Sequence, residues 1–112
     1  MDPIAVVQRQ LDAYNVRDLP RFLAEYSDDI RVYRLPAAPP AIVGKKAFRE
    51  FYATQRFNHA GLHAELRSRM AFGNKVIDHE RISGVREAPF DVAVVYEVSH
   101  DLIVCTWAVA AE

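Results

Sequence analysis

The chain has 112 residues, of which 51% are apolar and 26% charged, a composition that fits a single globular domain (1–112) with one core and excludes disorder. Lys and Arg total 14 and Asp and Glu total 15, giving a formal net charge of −1. That balance argues against nucleic acid and against a polybasic membrane patch, both of which need a cationic surplus. A lone cysteine, Cys105, leaves no internal disulfide, and the opening residues show no basic-then-apolar leader, so the expectation is a cytoplasmic protein.

In chain order, Asp2 and Pro3 are a helix cap and first helical residue, and Ile4, Val7, Leu11 and Tyr14 follow at helical spacing. Asp18 caps a shorter helix that buries Phe22, Leu23 and Tyr26. Asp28 and Asp29 read as a turn before a strand at 30–35, which Pro36 ends. Ile42 and Val43 form a brief extended piece. A third helix starts near Lys45 with Phe48, Phe51, Tyr52 and Gln55 on one face. The remainder reads as strands at 62–72, 75–85, 90–99 and 102–110, with two-residue turns at Gly73-Asn74 and His100-Asp101. The order ααβαββββ defines an α+β fold with helices packed on a mostly antiparallel sheet.

The Gly73-Asn74 turn pairs Arg69 with Asp78 and Arg67 with Glu80 on a face expected to meet solvent. The opposite face then turns His79 and Arg81 toward the helices. The second turn pairs Val94 with Trp107, Tyr96 with Cys105 and Val98 with Ile103. Both faces of the last two strands are apolar, so one is expected beneath the helices and the other against a second copy.

The segments Val7-Gln8-Arg9, Tyr14 to Leu19, Tyr26 to Ile30 and Gly44 to Tyr52, with the final hairpin, resemble the nuclear transport factor 2-like superfamily, in particular its SnoaL-like and ketosteroid-isomerase-like branch. The resemblance implies a cone-shaped α+β barrel: three N-terminal helices on a strongly bent sheet, an internal pocket, and homodimers through the sheet. It does not imply one activity, because the fold hosts isomerases, cyclases, dehydratases, hydrolases and binders. The ketosteroid isomerases use a helix tyrosine, a base on the first strand and a protonated aspartic acid on the sheet. Those positions fall here on Gln10, on Arg34 or Leu35, and on Val94. Steroid isomerisation by that mechanism is therefore rejected.

His79 and Arg81 are the candidate catalytic pair, an imidazole able to exchange a proton near neutral pH beside a fixed cation; Arg34 adds a second cation. Such a set suits a small apolar or aromatic ligand carrying an anionic oxygen. Gln10, Tyr14, Tyr33, Tyr52, Val94, Tyr96 and Trp107 are the candidate pocket residues, with Tyr14 and Tyr96 preferred among the aromatics. Arg67, Arg69, Asp78 and Glu80 read as a surface ladder. No metal site and no cofactor are expected: His59 and His63 are four apart but separated by Gly61. Three functions stay open: proton-transfer enzyme, non-catalytic binder, and dimerisation module whose cone is filled by Phe22, Tyr26, Phe48, Phe51 and Tyr52.

Overall fold

Asp2 opens the first helix as its composition demands: Oδ1 accepts from the backbone N–H of Ile4 and Ala5, and Pro3 occupies the first turn. The computed structural model describes residues 2–111. Helix α1 runs Pro3–Asn15, and Asp18 caps the five-residue α2, Leu19–Leu23. Strand β1 (Tyr26–Arg34) and β2 (Ile42–Val43) precede α3 (Lys45–Gln55). Then come β3 (His63–Phe72), β4 (Lys75–Ser83), β5 (Phe90–Ser99) and β6 (Leu102–Ala110). Asp28 and Asp29 lie within β1 rather than in a turn; the strand absorbs them by an irregularity in its pairing between Tyr26 and Arg31.

The six strands form one sheet in the order β2-β1-β6-β5-β4-β3, and β1 and β6 run parallel while every other pair is antiparallel. The sheet curls around the helices without closing. Its concave side is sealed by Val6, Val7 and Leu11 of α1, Phe22 of α2 and Phe48 of α3. Asn15 joins α1 to the sheet edge by mimicking a strand: its amide donates to the Ala64 carbonyl at 3.0 Å and accepts from the Ala64 N–H at 2.7 Å. That pairing matters for the cavity, because it fixes the helix bearing Gln10 and Tyr14 over β3 and β4.

Both turns are where the sequence places them. Gly73 has φ +58°, and His100 and Asp101 have φ +53° and +61°, the left-handed pair that a type I′ hairpin requires. The registers need correction away from the turns. Each hairpin carries a bulge, between Leu66 and Ser68 in β3 and between Ile103 and Cys105 in β6. Arg67 is consequently skipped, and Glu80 pairs with Leu66 instead. Val98 does face Ile103, but Tyr96 faces Thr106 rather than Cys105, and Val94 faces Ala108 rather than Trp107.

The larger correction concerns the face of β4. Val76, Asp78, Glu80 and Ile82 are buried beneath the helices, whereas Ile77, His79 and Arg81 point to the convex side. Arg69 and Asp78 are paired as expected, yet they sit inside: Asp78 is fully buried, and Arg69 spans it at 2.7 and 2.9 Å while donating to Gln8 of α1. A planar guanidinium with donors to spare can join two elements in this way where a lysine could not.

Candidate functional site

The cone encloses a cavity of about 120 Å³. Its walls are apolar and come from every layer: Leu11 of α1, Phe22 of α2, Val32 of β1, Phe51 of α3, Ile82 of β4, and Val92 and Val94 of β5. The aromatic residues narrow it. Phe22 lies 5.0 Å from Tyr26 and 4.8 Å from Tyr52, ring centre to ring centre, and Phe48 lies 4.5 Å from Tyr26. These rings fill part of the cone but leave the space between α1, α3 and β4–β6 open.

One end of the cavity is polar and sealed. Gln10 projects from α1 between two tyrosines. The Tyr26 hydroxyl donates to Gln10 Oε1 at 2.9 Å, and Gln10 Nε2 donates to the Tyr96 hydroxyl at 3.3 Å. Tyr96 in turn donates to Glu80 Oε2 at 3.4 Å. Tyr26, Gln10, Tyr96 and Glu80 are all 5% exposed or less. Glu80 forms no salt bridge among the described residues. Burial pushes its carboxyl up to about 7 and the nearby Asp78 adds to the rise, while the Tyr96 hydrogen bond and Arg69 oppose it. Burial likewise raises the hydroxyls of Tyr14, Tyr26 and Tyr96, so these tyrosines are neutral donors throughout the physiological range.

The other end is cationic and open. Arg34, at the end of β1, and Arg56, which caps α3, both line the cavity. Both guanidinium carbons lie on the Phe51 ring, at 4.7 and 5.2 Å from its centre.

Six of the expected site residues line this space: Gln10, Tyr14, Arg34, Tyr52, Val94 and Tyr96. The other four do not. Tyr33 and Trp107 are paired neighbours on the convex face, stacked 5.9 Å apart. His79 and Arg81 are also convex, with side chains 45% and 44% exposed, and both bind Asp91, at 2.8 and 2.9 Å. Arg81, and then His79, hold the Asp91 carboxyl down to about 2. That cluster is a solvated ion-pair group on a strand surface, outside the cone. Glu80, which the sequence reading left on the surface, takes the place inside. Val76 and Ile82, which flank Asp78 and Glu80 at strand spacing, share that buried face, a signal that Ile77 on the opposite face blurs.

A helix-covered, curled six-stranded sheet of this order, with its cavity inside the curl, is the nuclear transport factor 2-like cone. The SnoaL-like domain model matches residues 7–106, and the chain belongs to that family. Solved structures agree on the fold. An uncharacterized cystatin-fold protein from Novosphingobium aromaticivorans superposes with a TM-score of 0.86 at 21% identity, covering 96% of this chain and 97% of that one. A nuclear transport factor 2-like protein of unknown function from Burkholderia xenovorans gives 0.83 at 17%, covering 98% and 83%. An LEH-like epoxide hydrolase from M. tuberculosis gives 0.81 at 18%, covering 96% and 81%. No protein of curated function matches the sequence significantly. Among the described residues no helix is long and apolar enough to cross a membrane.

Proposed function

We propose that the chain binds a small, largely apolar molecule in the cone and moves a proton on it, with Glu80 as the acid–base group. The observation that carries this reading is the carboxyl at the sealed end of an apolar cavity, bonded to a tyrosine and free of any salt bridge among the described residues. A carboxyl held near neutrality exists in both forms at working pH, the condition for taking a proton and giving it back. The ionised form removes a proton from the carbon beside a carbonyl. The C–H electron pair becomes the enolate double bond, and the carbonyl π pair moves to oxygen. A neutral tyrosine of the lining, Tyr14 or Tyr52, donates to that oxygen. Glu80 returns the same proton elsewhere on the ligand, so the outcome is an isomerisation that consumes no co-reactant.

Volume sets the scale of ligand. A protein cavity of about 150 Å³ takes benzene, while drug-sized ligands occupy roughly 300 Å³ or more. A space of about 120 Å³ suits one ring or a short branched chain with part of the molecule at the mouth, and is far too small for a steroid. The test is exchange of the α-protons of cyclohexanone in D₂O, followed by NMR. The protein should accelerate exchange over buffer with a midpoint near pH 7, and Glu80→Gln should return it to background. Equal exchange by the two proteins would overturn the role of Glu80.

The reading includes a second copy of the chain on the convex face. Tyr33, Trp107, Val95, Ile77 and Met70 are successive cross-strand partners, one apolar row spanning five strands. Met70 is 56% exposed at its end. Such a row supports burial against an identical row across a two-fold axis.

A further inference from the structure

We propose that Arg34 and Arg56 make the cavity mouth a carboxylate clamp, so that the ligand is a monocarboxylic acid whose apolar body enters the cone and whose carboxylate stays between the two guanidiniums. This names the ligand class for the site proposed above and rests on that reading. Three observations carry it. Both arginines line the cavity, and they come from different elements, the end of β1 and the cap of α3. Their guanidinium carbons sit on one ring, that of Phe51, so the two cations are no more than about 10 Å apart. Neither has a carboxylate partner among the described residues, which they share with Arg17, Arg21, Arg31, Arg49 and Arg86, but of these unpaired arginines only Arg34 and Arg56 line the cavity.

Two like charges within about 10 Å repel in low salt, and an anion bound between them offsets that repulsion as well as accepting hydrogen bonds. The ring of Phe51 backs both guanidiniums with an apolar wall; Arg56 Nη1 donates to the Gln55 carbonyl at 3.0 Å, and the remaining N–H groups of the two arginines are those a planar acceptor would meet. The sealed end supports the same orientation. Glu80 is buried there while Arg34 is exposed, and in the ionised form that takes the proton Glu80 would repel an anion beside it, so the carboxylate of the ligand belongs with the arginines. The apolar walls between the two ends fit a hydrocarbon body of about one ring.

The experiment measures binding of three probes built on one benzene ring, benzoate, benzamide and phenyl phosphate, by calorimetry at pH 6 in low salt. Benzoate should bind about tenfold or more tighter than neutral benzamide. The double variant Arg34→Met/Arg56→Met, with its fold checked by circular dichroism, should bind the two equally, because benzamide affinity depends on the walls alone. Arg34→Lys/Arg56→Lys should restore part of the preference. Equal binding of benzoate and benzamide by the unaltered protein would overturn the clamp while leaving the cavity reading intact. Binding of none of the three would overturn both. Tighter binding of phenyl phosphate than benzoate would overturn the carboxylate assignment.

Discussion

The Tyr96 hydroxyl reaches Glu80 at 3.4 Å from the neighbouring strand, and it is itself held by Gln10 from the first helix. The carboxyl is therefore placed by the sheet and held by one chain of side chains. That gives a pH signature with a definite sign. The Glu80 carboxyl stands at about 7 in the folded protein, against 4.5 ordinarily. Between those values the folded chain holds a proton that the unfolded chain has lost. Raising the pH across this window therefore favours unfolding, and the loss levels off above 7. It amounts to about 3 kcal/mol at most. The neighbours do not blur the window. Tyr14, Tyr26, Tyr52 and Tyr96 are all shifted upward, Arg69 stays charged, and Asp91 outside the cone titrates near 2. Urea unfolding at pH 5, 6, 7 and 8 should show a downward slope in the unaltered protein and a flatter one in Glu80→Gln. Parallel slopes would show that Glu80 is not the group responsible.

How the sequence hides Glu80 is instructive. The turns at Gly73-Asn74 and His100-Asp101 are local chemistry and are legible, as are the caps Asp2 and Asp18. A turn fixes which residues pair; it does not say which face of the pair is inside. Along β4 both faces mix apolar and charged residues, Val76-Asp78-Glu80-Ile82 against Ile77-His79-Arg81, so alternation alone leaves the choice open. With a period of two, choosing the wrong face exchanges every side chain at once, and His79 and Arg81 replace Asp78 and Glu80 as the inner pair. The bulges at Arg67 and Val104 add a second concealment, because each advances the register by one residue in mid-strand. On α1, Tyr14 is legible because it belongs to the apolar stripe that marks the inner side of the helix, whereas Gln10 is reached only through the family resemblance, at the position of the isomerases' helix tyrosine.

The inward Arg69–Asp78 pair is an energetic consequence of the same choice of face. Asp78 is wholly buried, and Arg69 meets it with two hydrogen bonds and Gln8 with a third. Removing the cation alone strands a buried carboxylate, so Arg69→Met should cost about 3 kcal/mol. Asp78→Leu should cost less, because the Arg69 side chain is 15% exposed and can turn toward water. The double variant should recover about 2 kcal/mol relative to the sum of the two single changes. Simple additivity in urea unfolding would mean that the two charges do not depend on each other.

The convex row makes the last prediction. Tyr33, Trp107, Val95, Ile77 and Met70 lie side by side across β1, β6, β5, β4 and β3, with Lys75 and Glu97 on one flank and His79, Arg81 and Asp91 on the other. A stripe of this kind, apolar along its length and charged at its borders, has the layout of an interface with a dry centre and a polar rim. Val95 sits at its middle and has no part in the cavity wall, so a charge introduced there tests the surface without touching the site. Sedimentation of the unaltered protein should give twice the chain mass, and Val95→Arg should give the chain mass with its circular dichroism unchanged. Placing an unpaired guanidinium at the centre of a dry contact costs several kcal/mol, enough to dissociate a micromolar dimer. A monomeric unaltered protein, or a Val95→Arg variant that stays dimeric, would remove the convex face as the contact between copies and return the row to the status of a solvated sheet surface.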